Sequence, residues 1–137
     1  MPFTGASDLL TQLRTQIAAC ASWSAGSSGV HYPDVDWASA TLPCCVIAEG
    51  ARTSATYAAG AAGLRGGTFL VTIYTSGTVG ACEVLGQAIL EELLAQASGI
   101  PFRSGSVGVC GQSTDAQEAA GMTANGIELT LEYGLDV

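Results

Sequence analysis

The stretch RGGTFLVTIYTSGTVGACEVLGQAILEELLAQASGIP, residues 65–101, contains the clearest change of period in the chain. Phe69, Val71 and Ile73 alternate with Thr68, Thr72 and Tyr74, with Leu70 as the exception, which is the two-residue period of a half-buried strand. After a short Thr/Ser/Gly turn, Cys82, Leu85, Ile89, Leu93 and Ala97 recur every three or four residues, the spacing of one helix face. Thr78 stands where the helix cap belongs, Gly99 offers a left-handed cap at the far end, and Pro101 blocks continuation. The stretch predicts a strand feeding an amphipathic helix, and neither element sets a nucleophile beside a base.

Upstream, Ser7 is placed to cap a first helix with Asp8 in its first turn, and Leu10, Leu13, Ile17 and Cys20 form its apolar stripe, ending near residues 21–24. Residues 24–41 lose all period and hold turn residues, so a long irregular connection with a contact role is expected there, with Tyr32 and Trp37 as candidate interface residues. Leu42–Glu49 reads as a strand with Pro43 at its start, and Thr53–Ala58 as a second, joined through Gly50-Ala51-Arg52. Residues 60–67, with four glycines, read as a flexible loop or a hairpin tip.

Downstream, Ser106–Gln112 is a glycine-thinned strand. Ile127, Leu129, Leu131, Tyr133 and Leu135 alternate with Glu128, Thr130, Glu132, Gly134 and Asp136, giving one apolar and one acidic face. The order helix, three strands, helix, two strands predicts one α+β domain over residues 1–137, a mostly antiparallel sheet with both helices on one face.

Charged residues are 12% of the chain, about half the usual share, so much of the surface must be Gly, Ala, Ser and Thr, a composition that favours burial in an assembly. Four arginines, no lysine and twelve carboxylates give a net charge of -8. A nucleic-acid groove is excluded, because phosphate neutralisation needs clustered cations. The acidity serves solubility, or else lines the lumen of a ring through which DNA slides without sticking. No apolar run is long enough to span a membrane, residues 1–5 do not read as a signal peptide, and five cysteines predict reduced thiols in a cytoplasm.

Several constellations invite chemical readings. Cys44 and Cys45 are adjacent in a strand and point to opposite faces, and without CxxC spacing no metal site with Cys110 and His31 is expected. His31 with Asp34 or Asp36 and a distant thiol is a thiol-hydrolase set on paper only. Residues 75–80 lack the lysine of a phosphate loop. Glu91 and Glu92 diverge on their helix, so paired-acid chemistry is not expected. Arg52 and Arg65, flanking the glycine-rich stretch with Gly66 and Gly67, either bridge to Glu128 or Glu132 of another subunit or are simply exposed.

The segments LPCCVIAEG, RGGTFLVTIYTSG, VGACEVLGQAILEELL and GIELTLEYGLDV, in this order, resemble the tail terminator and tail completion family of long-tailed bacteriophages. The likeness spans most of the chain and rests on patterns of strand, helix and glycine. It implies a non-enzymatic virion subunit without cofactor, made in the bacterial cytoplasm. Such a subunit forms a hexameric ring on the head-proximal end of the tail tube, meets the tube protein and the head connector or stopper, and lets DNA pass. Another virion joint, either a head-completion stopper or a tube subunit, stays open beside it, as does a small thiol/His enzyme.

Overall fold

The computed structural model describes residues 6–32, 35–56, 62–96 and 99–134. The chain is a single-domain α+β protein with α1 (Ala6–Ala18), β1 (Val30–His31), β2 (Cys44–Thr56), β3 (Ala62–Thr75), α2 (Val79–Ala95), β4 (Phe102–Gln112), α3 (Thr114–Ala120) and β5 (Asn125–Gly134). The strands form one sheet in the order β1-β2-β3-β5-β4, antiparallel except where β1 runs parallel to β2.

The alternation of β3 and β5 assigns the two faces of this sheet. Phe69, Val71 and Ile73 pair with Leu131, Leu129 and Ile127, all fully buried, and α1 and α2 cover them with Leu9, Leu13, Ile17, Cys82, Ile89 and Leu93. Both predicted helices therefore lie on one face. Helix α2 sits close because two glycines make room: an added Cβ at Gly86 would lie 2.4 Å from Ile127 Cγ2, and one at Gly105 on β4 would lie 2.4 Å from Leu90 Cδ1. Each glycine is a hole for the facing side chain.

Helix α1 is tied down by a buried amide. Gln16 accepts from the Ile100 backbone N–H at 2.7 Å and donates to the Ile100 carbonyl at 3.4 Å, satisfying a buried loop in the manner of a strand partner. Gln96 donates from Nε2 to the Gln16 carbonyl at 2.9 Å.

The structure corrects five expectations. Ser7 lies inside α1 and not ahead of it, and α1 stops at Ala18, short of residues 21–24. Leu42–Glu49 and Thr53–Ala58 are not separate strands. β2 runs unbroken from Cys44 to Thr56, because register shifts at Glu49/Arg52 and Thr53/Ser54 absorb the extra residues as bulges where a turn was expected. Most of the glycine-rich stretch is strand, since β3 begins at Ala62 and pairs with β2 through Thr56↔Ala62 and Ala55↔Gly63; residues 57–61 are outside the described residues. Helix α2 ends at Ala95 with Gln96 extended, so Gly99 (φ 91°) does not cap it and instead brings the backbone against Gln12 and Gln16. Helix α3, capped by Ser113 and closed by Gly121 in the left-handed region, was not foreseen, because seven residues hold too few turns to show a period.

The irregular connection is partly ordered. Residues 27–29 form one 3-10 turn, β1 pairs with β2, and Asp36 builds a local turn by accepting from the Ala38 N–H and the Ser39 hydroxyl. With α3 this segment covers one end of the second sheet face, where Val35, Trp37, Ala40, Cys44, Ala116 and Ala124 form a smaller core.

Candidate functional site

Beyond that smaller core the second face of the sheet is open. Its paired rungs read Val46–Thr72–Glu128–Gly108, then Ala48–Leu70–Thr130–Ser106, then Thr68–Glu132–Ser104. Thr68, Leu70, Thr72, Glu128 and Thr130 are half-buried, and Glu132, Ser104, Ser106 and Gly108 are exposed. Small and short polar side chains make this a flat surface that carries Glu128 and Glu132, with the Arg103 side chain lying over Gly134 at its end. Leu70, the exception in the strand period, sits in its middle rung.

Among the described residues β3 pairs with β5 as far as Gly66↔Gly134, and β1 with Cys45 and Val46 of β2. Among the described residues, Ser54–Thr56 and residues 62–64 pair only with each other, as a two-stranded ribbon. Arg52 pairs with Gly67, and Arg65 falls in the bulge between the Gly66 and Leu64 pairs.

The sequence-derived site residues thus fall into four groups. Arg52, Arg65, Gly66 and Gly67 lie together on the ribbon and at its base, and Glu128 and Glu132 lie on the open face. Tyr32 is exposed beside β1. Trp37 is not a surface residue: it is 8% exposed and packs edge-on to Tyr74 at 5.0 Å, because the smaller core needs a large side chain at that end of the sheet. Val84, at 71% exposed, and Leu94 project from α2 and were missed, although both stand outside the 82/85/89/93 stripe that marked its buried face.

The residues proposed for chemistry have structural occupations. Thr78 accepts from the Ala81 N–H at 3.2 Å as the α2 cap, and Asn125 donates to the Gly77 carbonyl at 2.8 Å, which holds the turn without a ligand. Glu92 accepts from the Ser22 N–H at 3.0 Å, whereas exposed Glu91 takes Gln87, so the neighbouring acids do diverge. Cys20, Cys44, Cys45 and Cys82 are buried free thiols. Burial pushes Cys20 and Cys44 up to about 11, with Glu92 adding to the effect at Cys20, and raises Cys45 and Cys82 as well. None of these four is a thiolate near neutrality, which is the form a nucleophile requires; the side chain of Cys110 and all of Asp34 are outside the described residues.

His31 is half-buried at a cleft of about 500 Å³ that it shares with Ser24, Ser28, Ser39, Thr41 and Pro43. No group of three or more His, Cys, Asp or Glu able to hold a metal occurs among the described residues. Nor is any described helix long and apolar enough to cross a membrane. Comparison with protein-family models, curated proteins and solved structures finds no match to this chain.

Proposed function

We propose that this protein is a tail terminator subunit of a long-tailed bacteriophage. It closes into a homo-oligomeric ring, six copies by the family resemblance, on the head-proximal end of the tail tube. There it stops tube growth and presents its other side to the head connector, while DNA passes through the acidic lumen without specific binding. The observation that carries this reading is the ribbon of β2 and β3, whose Ser54–Thr56 and residues 62–64 pair only with each other among the described residues, with an open sheet face elsewhere on the same subunit. A two-stranded ribbon is marginal in water by itself, so it needs a surface to lie on. Two different complementary patches on one chain make a head-to-tail contact, which closes into a ring when the rotation per subunit divides a full turn.

Chemistry on the described residues supports the same reading. Thr78 caps α2, Glu92 near the far end of that helix holds the Ser22 backbone N–H, and the four described thiols are buried.

The test is the solution mass by light scattering at low salt, followed by negative-stain imaging of the same sample. Discrete rings, and tail tubes that stop elongating when the protein is added, are the expected results. Open-ended polymers identify a tube subunit, and a monomer at the highest soluble concentration refutes the self-closing ring.

A further inference from the structure

The sheet has two edges, β4 on one side and, beyond the short β1, β2 on the other. Among the described residues β4 pairs with β5 and has no second neighbour. Its sequence, FRSGSVGVCGQ, contains no proline, lysine or carboxylate, the residues that commonly guard an edge strand. Arg103 is its one charge, and that side chain lies over Gly134, on the β5 side. Between the register shifts at Phe102/Ser104 and Val109/Gly111 runs a regularly paired stretch, in which Ser104, Gly105, Ser106 and Gly108 are exposed. Every second residue of such a stretch turns its backbone N–H and C=O outward, where only water or another strand can satisfy them.

On the far side β1 covers β2 only at Cys45 and Val46, so among the described residues Ile47–Thr56 has β3 on one side and no neighbour on the other. The strand directions make these two edges compatible. β2, β3, β5 and β4 alternate in direction across the sheet, so β2 and β4 run oppositely. A second copy brought alongside by rotation about an axis near the strand direction therefore sets its β2 antiparallel to the β4 of the first, the pairing every neighbour here except β1 uses, and keeps the helices of both copies on one side of the sheet. Pairing of β4 with a second β4 would instead stop at two copies and leave β2 open.

We propose that the β4 edge of one copy pairs antiparallel with the outer edge of β2 in the next, so that one sheet runs on from subunit to subunit. The contact rests on the ring reading and specifies its interface. Backbone hydrogen bonds supply the adhesion, as in recognition by strand addition, and the serines and glycines of β4 let the incoming strand approach without repacking. The β2 half of the ribbon, Ser54–Thr56, lies within the paired edge and so gains the neighbour it lacks in a single subunit. Because the two edges differ, each subunit gives one and receives one.

Amide hydrogen exchange on the full chain, assembled and diluted to monomer, tests it by mass spectrometry. Peptides covering residues 102–112 and 47–56 should both exchange more slowly in the assembly, by roughly 10-fold or more at the newly paired amides. S106K/G108K supplies the missing guard residues: both positions are exposed, and a Cβ at Gly108 meets only the Glu128 carbonyl oxygen, at 4.0 Å. Its circular dichroism and thermal midpoint should match those of monomeric wild type, and its self-association by light scattering should weaken at least roughly 10-fold. T68K puts a lysine on the same face but on the inner strand β3, and should keep its rings. Slow exchange of 102–112 already in the monomer, protection of that peptide without 47–56, or rings of S106K/G108K at the wild-type concentration overturn the docking and leave the ring reading standing. Loss of rings in T68K alone does the same, since it moves the contact to the open face. A wild type that stays monomeric at the highest soluble concentration overturns both.

Discussion

Replacing Gly86 by alanine tests whether α2 is seated on the sheet by the absence of a side chain. The new Cβ would lie 2.4 Å from Ile127 Cγ2, where carbon atoms normally stand about 3.5–4.0 Å apart. Ile127 has little room to yield. It is fully buried, stiff at its branched Cβ, and registered between Ile73 on one side and Val109 on the other. The helix must therefore lift, loosening Ile89 and Leu93 as well, and overpacking of this kind costs about 1–3 kcal/mol. Against it stands the gain of replacing an interior helical glycine, about 1 kcal/mol. Gly80→Ala in the same helix separates the two effects, because its Cβ would meet only Thr78 Oγ1, at 3.9 Å. G80A should be neutral or more stable than wild type, and G86A should unfold below G80A by about 1–3 kcal/mol. At this chain length that is a midpoint difference of roughly 4–12 °C. Thermal and urea unfolding at matched protein concentration measure it, the matching being needed because assembly also stabilises. Adding Ile127→Leu, which removes Cγ2, should recover part of the loss in G86A. Equal midpoints for G86A and G80A refute the close-seating argument.

Buried groups give three further outcomes. Gln16→Leu keeps the bulk but strips the partners from the Ile100 N–H and carbonyl, so urea unfolding should show a loss of about 1–3 kcal/mol, whereas Gln12→Leu one turn earlier, half-buried, should lose much less. Burial pushes the Cys20 and Cys44 thiols up from the ordinary 9.0 to about 11, so the folded state holds their protons more tightly; the stability they contribute is complete below pH 9 and declines as pH rises toward 11. In the same protein at pH 8, iodoacetamide should modify at most one thiol per native chain and all five after urea, counted by mass spectrometry, and rapid native labelling of two or more contradicts the burial.

Periodicity made the scaffold legible and local chemistry misplaced its joints. Phe69, Val71 and Ile73 alternate with polar residues because only one face of β3 meets the main core, and the same holds for Ile127, Leu129 and Leu131 on β5. The α2 face was legible through Cys82, Ile89 and Leu93 for the same reason, while buried Leu90 and Gly86 were not, since one lies off the stripe and the other has no side chain. Trp37 was misassigned because an aromatic in a segment without period looks like a contact residue. Its burial depends on Cys44, Val46 and Tyr74, and no local pattern connects those residues to it.

The ribbon was the hardest part to read, and the reason bears on its role. Glycine loses more backbone freedom on ordering than any other residue, so GAAGLRGG argues for a loop when each residue is judged by its own cost. In the fold, residues 62–67 pair with β2 across the bulges, and among the described residues only Gly66 and Gly67 of this stretch have a second neighbour in β5. Backbone pairing on one side, with few large side chains to pack, leaves the outer part of the ribbon weakly held within a single subunit. Large apolar residues there would have stabilised it but exposed a sticky strand edge, the feature that drives indiscriminate strand pairing. The glycines and alanines of this segment achieve the opposite balance, giving backbone that can pair with little apolar area to recruit unrelated strands.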